Sequence, residues 1–195
     1  MGPTRVEQDV QTLKDGLGEL PEPEARPVLI VVSGLPGTGK SHFSRRLAED
    51  LPSVVLESDA LRKRLIRSPR YNASESNRLF DACHVLIEEL LSRGLSVILD
   101  ATNLIENHRE RLYKIADRAG ARLTLVWVKA PPELVEERLA VRAGDSSRPD
   151  SSDADLGVYN AMRGRVERIG RNHIVVDTSQ DIEPGVRKVL REARR

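Results

Sequence analysis

Apolar residues recur along this chain with two alternating periods. VLIVVS (Val28 to Ser33), SVVLE (53 to 57), LSVIL (95 to 99), RLTLVWV (122 to 128) and HIVV (173 to 176) are short runs rich in branched residues, the pattern of buried strands. Between them the apolar positions fall at helical spacing. SHFSRRLAEDL puts Phe43, Leu47 and Leu51 on one face, and further helices are predicted from Asp59, from Ser76, over Arg109 to Ala119, from Pro132, near Gly157 to Arg168, and after the last strand. Five apolar strands separated by helices predict an α/β fold, a five-stranded parallel sheet with helices on both faces. In such a sheet, ligands sit beyond the carboxyl ends of the strands.

Two stretches fall outside that rhythm. Ahead of the first strand, Val6, Val10, Leu13, Leu17 and Leu20 follow four- and three-residue steps until PEPEARP interrupts them. Residues 1–27 are therefore expected to be a helical appendage and linker, either docking a partner or a second copy, or folded back on the domain formed by 28–195. The second stretch, AGDSSRPDSSDAD (Ala143 to Asp155), is polar and rich in turn residues, and it interrupts a small helical lid expected at about 131–165.

Composition narrows the class. A chain of 195 residues with a net charge of +1 suits one ordinary domain and carries no global field for nucleic acid or membrane. Cys83 is the single cysteine, so neither an internal disulfide nor a cysteine metal cage can form. It shares an apolar helix face with Leu79, Leu86, Ile87 and Leu90, which points to packing. No apolar run approaches bilayer length and no signal-peptide core stands at the N-terminus, so a cytoplasmic protein without a membrane partner is expected.

The chemistry begins where the first strand ends. Ser33 is followed by GLPGTGKS, in which Gly34, Gly39, Lys40 and Ser41 occupy the fixed positions of G-x-x-x-x-G-K-S, with Gly37, Thr38 and His42 alongside. Glycines allow consecutive backbone N–H groups to turn inward, the following helix adds its positive end, and the lysine reaches the outer phosphates. ATP is the expected ligand, with Ser41 holding Mg²⁺.

Residues after the other strands supply candidates for the reaction. Asp59 and Arg62 lie three apart on the first turn of a helix, where the carboxylate can take a proton from a hydroxyl and the arginine can hold an acceptor or the transferred phosphoryl. Helix capping is the alternative for Asp59. In DATN, Asp100 is the second Mg²⁺ candidate, and Asn103 with Arg109 can contact an acceptor, or Asn103 can simply form a turn. Arg138 and Arg142 stand one helical turn apart, with Arg148 beyond them, as lid arginines able to cover a transferred phosphoryl. RKRLIRSPR (Arg62 to Arg70) carries five basic residues but only Tyr71 beside it for stacking, so it reads either as a track for a polyanion or as a solvated face.

Together these residues resemble the P-loop kinase group of polynucleotide 5′-hydroxyl kinases, zeta-toxin-type kinases and chloramphenicol phosphotransferase, an AAA-type ATP-binding kinase domain, over roughly Val28 to Asp177. The resemblance implies a P-loop NTPase sheet of nucleoside-kinase type with an arginine-bearing lid. It matches Lys40 and Ser41 to the phosphate and metal residues, Asp59 to the acceptor-activating aspartate, Arg62 to its companion, and Arg138 and Arg142 to the lid. The expected activity is transfer of the γ-phosphoryl group of ATP to a hydroxyl of a small molecule or nucleotide. A polynucleotide 5′ end is the less favoured acceptor, and an ATP-dependent switch without an acceptor is the alternative from another class. A switch has less need of Asp59 and Arg62.

Overall fold

A computed structural model describes residues 2–143 and 154–195. The run VLIVVS forms β1 (Val28–Ser33), buried along its whole length, because helices cover both of its faces. The other strands are β2 (Val54–Glu57), β3 (Val97–Asp100), β4 (Arg122–Lys129) and β5 (Ile174–Asp177), in the order β2-β3-β1-β4-β5 with every pair parallel. The expected five-stranded parallel sheet is what forms.

Alternation along β1 divides the core. Leu29 and Val31 face a layer that includes Leu79, Cys83, Leu86 and Leu112, whereas Val28, Ile30 and Val32 face Phe43, Leu47, Val186 and Val189. The first layer belongs to α3 (Ser58–Leu65), α4 (Ala73–Ser92) and α5 (Glu106–Arg118), the second to α2 (Lys40–Asp50) and α8 (Glu183–Ala193). Cys83 is buried there and its thiol is pushed up to about 12 by loss of water, in keeping with a packing role. Above the sheet, α6 (Pro132–Ala143) and α7 (Leu156–Arg163) meet through Val135, Leu139 and Tyr159, with Leu35 against them. The polar interval between these helices, with Arg148, lies outside the described residues.

Several element ends differ from expectation, each for a local reason. Helix α4 starts at Ala73 rather than Ser76 because the Asn72 side chain caps it, accepting the Glu75 N–H at 2.9 Å. Helix α7 stops at Arg163, with Gly164 as its cap, so residues up to Arg168 run on irregularly. Strands β3 and β5 each reach one residue further than predicted, which puts Asp100 and Asp177 inside the ladder.

The N-terminal segment is the larger correction. Helix α1 (Arg5–Lys14) is launched by a Thr4/Glu7 capping box and ends at Asp15, so the seven-residue pattern up to Leu20 is not one helix. Val10 and Leu13 are buried against the core shared with α4, and Leu17 and Leu20 pack on that core as non-helical chain. Of the two expected alternatives it is the fold-back that forms: the apolar face of α1 is covered by the chain's own α3 and α4. Asp9, buried, accepts both Arg78 Nη2 at 2.6 Å and Nε at 2.7 Å from α4.

That pair holds the Asp9 carboxyl below the usual carboxylate range, so its stabilisation is complete above about pH 4 and is lost as pH falls through the lowered folded value. Arg78→Ala is expected to cost about 1–3 kcal/mol in urea unfolding at pH 7. The gap between variant and wild type should shrink below pH 4; a gap that stays constant with pH would mean that the ion pair is not its source.

Candidate active site

Every parallel strand delivers its carboxyl end to one edge of the sheet, and a cleft of about 930 Å³ opens there. Its floor is the loop after β1. Gly34 has φ +154, and a Cβ there would run into the Val128 carbonyl oxygen, so only glycine lets the chain leave β1 beside β4. Gly39 has φ +89 and precedes α2 with no side-chain cap, which leaves the amides at that helix start to other acceptors. Lys40 Nζ donates to the Leu35 carbonyl at 3.1 Å, so the loop's lysine folds back across the loop itself. Gly37, Gly39, Lys40, Ser41 and His42 all line the cleft, while Thr38 is buried beneath, its hydroxyl on Leu35 O at 2.7 Å.

Sheet order divides the surroundings of this loop into two sides. On the β2/β3 side the register pairs Glu57 with Asp100 at adjacent strand ends, and Asp59 follows on the first turn of α3. All three acids line the cleft. Asp59 makes no cap: the N-cap position is Glu57 and carries no side-chain cap bond. Capping therefore does not account for Asp59. Asp100 is buried and its carboxyl is pushed up, chiefly by loss of water, against the opposing pull of Lys40 and a hydrogen bond with Ser41. Its Oδ2 has no hydrogen-bond partner. An orphaned buried carboxylate oxygen beside a serine hydroxyl and a phosphate-sized cradle suits Mg²⁺, which takes one or two protein oxygens and fills its remaining positions with phosphate and water.

On the β4/β5 side, Arg138 reaches from α6 to the chain after β5. It donates to Thr178 Oγ1 at 2.8 Å and to Thr178 O at 2.9 Å, and Thr178 Oγ1 in turn donates to Thr38 O at 2.7 Å. Arg138 of α6, the β5 end and the phosphate loop are thereby joined in one chain of bonds. Arg142 lines the cleft one turn further along α6, as the spacing predicts.

Three predicted binding residues lie elsewhere. Arg109, expected at an acceptor, has no exposed surface and spends its donors on Glu106 Oε2 at 2.6 Å, Glu167 O at 2.9 Å, Arg168 O at 3.0 Å and the Asn103 carbonyl. Its fork of donors matches acceptors from two loops and makes it a strut between them. Asn103 is buried with φ +44, a turn residue whose carbonyl serves that strut, and Thr102 lines the cleft in its place. Arg62 turns away from Asp59: it is 7% exposed, donates to Ser76 Oγ at 3.3 Å, and lies with its guanidinium carbon 5.0 Å from the Tyr71 ring centroid.

Arg70 and Tyr71, from the end of the basic run, line the cleft, as do residues that the sequence did not single out, among them Glu57, Arg45, Thr178 and Arg165. Glu57 was accessible in principle, as an acid closing an apolar strand. Arg165 was not, since it belongs to the irregular chain after α7 that Arg109 holds in place.

A family model described as an AAA domain matches residues 29–169, well over half of the chain. The chain belongs to that AAA-domain family. It is 32% identical over 116 residues to the L-seryl-tRNA(Sec) kinase of Methanococcus maripaludis, covering 57% of this chain and 44% of that protein, so it spans less than half the length of this relative. The shikimate kinase of Corynebacterium glutamicum is 33% identical over 132 residues, 65% of this chain and 71% of that one. In fold, the chain is similar to the Mycobacterium tuberculosis APS kinase CysC in complex with AMPPNP and APS, with a TM-score of 0.65, 20% identity, and coverage of 89% and 100% of the two chains. The AAA-domain chain is thus a kinase-like, nucleotide-binding P-loop domain with relatives among small-molecule and nucleotide kinases. Among the described residues, no helix is long and apolar enough to cross a membrane.

Because the Arg109 guanidinium is buried against four acceptors, Arg109→Ala should cost about 3–5 kcal/mol in chemical denaturation. A loss below about 1 kcal/mol would show that the strut is dispensable.

Proposed function

We infer that this protein is an ATP-dependent kinase that transfers the γ-phosphoryl group of ATP to a hydroxyl of a small molecule or nucleotide. The observation that carries this reading is Asp59: an uncapping carboxylate in the same cleft as Lys40, at the end of β2, the edge strand next but one to the phosphate loop. A site that only bound nucleotide would have no use for a carboxylate there.

The residues divide the work by side. Loop amides and Lys40 hold the phosphates, with Lys40 leaving Leu35 O for a phosphate oxygen. Thr178, Gln180 and Ile182, beyond β5, line the arm that takes the rest of the nucleotide, with Arg138 and Arg142 from α6 over the phosphates. Asp59 orients the acceptor hydroxyl from the opposite side and accepts its proton as the oxygen bonds to γ-phosphorus and the bond to the β–γ bridging oxygen breaks, releasing ADP. Mg²⁺, when bound, neutralises charge on the phosphate oxygens, and Ser41 and Asp100 are the residues that would hold it or its waters. Since positioning and electrostatics supply most of the acceleration in such reactions, the group closest to the phosphates matters most.

SDALRKRL and DATN favour the polynucleotide kinase and zeta-toxin-type branch within the family. A polynucleotide acceptor, however, draws little support from the basic run. Arg62 is buried, Arg64 packs over Gly16, and only Arg70 of the run's arginines lines the cleft, so these side chains do not form one phosphate-tracking face. That division favours the smaller acceptor.

The test follows label from γ-labelled ATP into small alcohols, nucleosides and 5′-hydroxyl oligonucleotides. Transfer to one class is expected, with kcat reduced about 10²–10³-fold in Lys40→Ala and about 10²–10⁴-fold in Asp59→Asn. Arg142→Ala should cost less than Lys40→Ala. Label released only as free phosphate, equally in wild type and Asp59→Asn, would defeat the kinase reading.

A further inference from the structure

Besides its three acids, the cleft is lined by basic groups that transfer to a neutral alcohol does not require. Two lining arginines, Arg70 and Arg165, are exposed and have no ion-pair partner for their guanidinium groups among the described residues. Other basic groups in the cleft are engaged: Arg45 with Glu57 at 3.3 Å, Arg138 with Thr178, Lys40 with the loop. Beside Arg70 lies the buried Arg62, whose Nε and Nη1 have no hydrogen-bond partner and whose nearest carboxylate oxygen, Glu75 Oε2, is 4.0 Å away. The two exposed guanidinium groups that line the cleft, Arg70 and Arg165, suit an incoming anion.

The backbone holds both lining arginines in place. Glu75 accepts the N–H groups of Arg70 at 2.9 Å and Tyr71 at 2.8 Å, fixing the α3–α4 connection with Tyr71 at φ +55, a conformation strained for a tyrosine. The chain around Arg165 is bound to the β3–α5 connection: Glu167 N–H donates to Leu104 O at 2.9 Å, Glu106 N–H to Glu167 Oε2 at 2.7 Å, and Arg109 bonds the Glu167 and Arg168 carbonyls. Arg70 lies in the α3–α4 connection beyond β2, and the chain just after Arg165 is tied to the connection after β3.

Resting on the kinase reading above, we propose that the acceptor is an anion, a small alcohol that also bears a phosphate or carboxylate group, and that Arg70 and Arg165 bind this group while Asp59 faces the hydroxyl. Tyr71, with Arg62 against its ring, supplies the wall between them. The two arginines set specificity. They stay away from the nucleotide arm, so their loss leaves the affinity for ATP intact.

Two measurements test the proposal separately from the kinase reading. First, with the phosphate loop filled by a non-hydrolysable ATP analogue and Mg²⁺, inorganic phosphate and then acetate are titrated by calorimetry. Saturable binding of at least one is expected, weakened at least tenfold by Arg70→Ala with Arg165→Ala and unchanged by Arg187→Ala, an exposed arginine on α8. A preference for phosphate assigns a phosphorylated alcohol, and a preference for acetate a hydroxy acid. No binding of either anion, or binding that the double variant leaves unaltered, overturns the proposal. Second, γ-labelled ATP is offered with matched sets of a neutral alcohol, its carboxylate and its phosphate ester. Label is expected in a charged member, with KM for that member raised at least tenfold in the double variant and KM for ATP unchanged. Label in neutral alcohols alone, indifferent to both substitutions, overturns the anion while the kinase reading stands. Anion binding lost in the double variant, with no transfer to any acceptor, supports the anion site and defeats the kinase reading.

Discussion

A helix that begins without a cap at the end of the central strand is the constraint on which the rest of this molecule depends. Helix starts leave donors that must be satisfied, and here Gly39 offers no side chain to do it. The amides therefore stay available to an anion, and the surrounding structure exists to keep them so. Burial of β1 between β3 and β4 fixes the strand from which the loop springs, and the Val128 carbonyl closes the space beside Gly34. From the other flank, Thr178 binds Thr38 and is itself bound by Arg138. A loop of glycines would lose much conformational entropy on becoming ordered; these contacts offset part of that loss by making one arrangement the best packed.

Parallel strands then give the site its two-sided chemistry. All five carboxyl ends meet at one edge, and the order β2-β3-β1-β4-β5 separates acids on one side of the loop from the Arg138–Thr178 junction on the other. Charge follows the same division. Burial pushes the Asp100 carboxyl up while Lys40 and Ser41 pull it down, and that balance leaves an oxygen without a protein partner where a hard cation suits the surroundings. The lowering pull arises because β3 lies next to β1, whose loop leads to Lys40 and Ser41 at the start of α2.

Two arginines that do not face the cleft still shape it. Arg109 ties the chain after α7 to the connection after β3, so residues far apart in sequence stand at one wall. Arg78 clasps Asp9 and holds α1 over α4, bracing the helices that flank the loop bearing Arg70 and Tyr71. In both cases a bidentate or multidentate guanidinium fastens irregular or terminal chain that apolar packing alone reaches poorly. The N-terminal helix thereby braces α3 and α4, which is the fold-back alternative of the two that its heptad-like spacing allowed.

The chain's own order of residues determined the sheet, the phosphate loop and the placing of Lys40, Ser41, Asp59 and Asp100, because each depends on local rules: burial of an apolar run, the backbone freedom of glycine, and the position of a residue just past a strand. Where those rules reach no further than a turn of helix, the reading went astray. Arg62 shares a turn with Asp59, yet Ser76 and Tyr71 draw it away; Arg109 follows Asn103 closely in sequence, yet its partners lie near Glu167. An arginine looks the same in sequence whether it faces a substrate, a carbonyl or water. Its role is decided by which acceptors the tertiary structure brings within reach of its long side chain, and those acceptors come from segments that only the folded sheet places side by side.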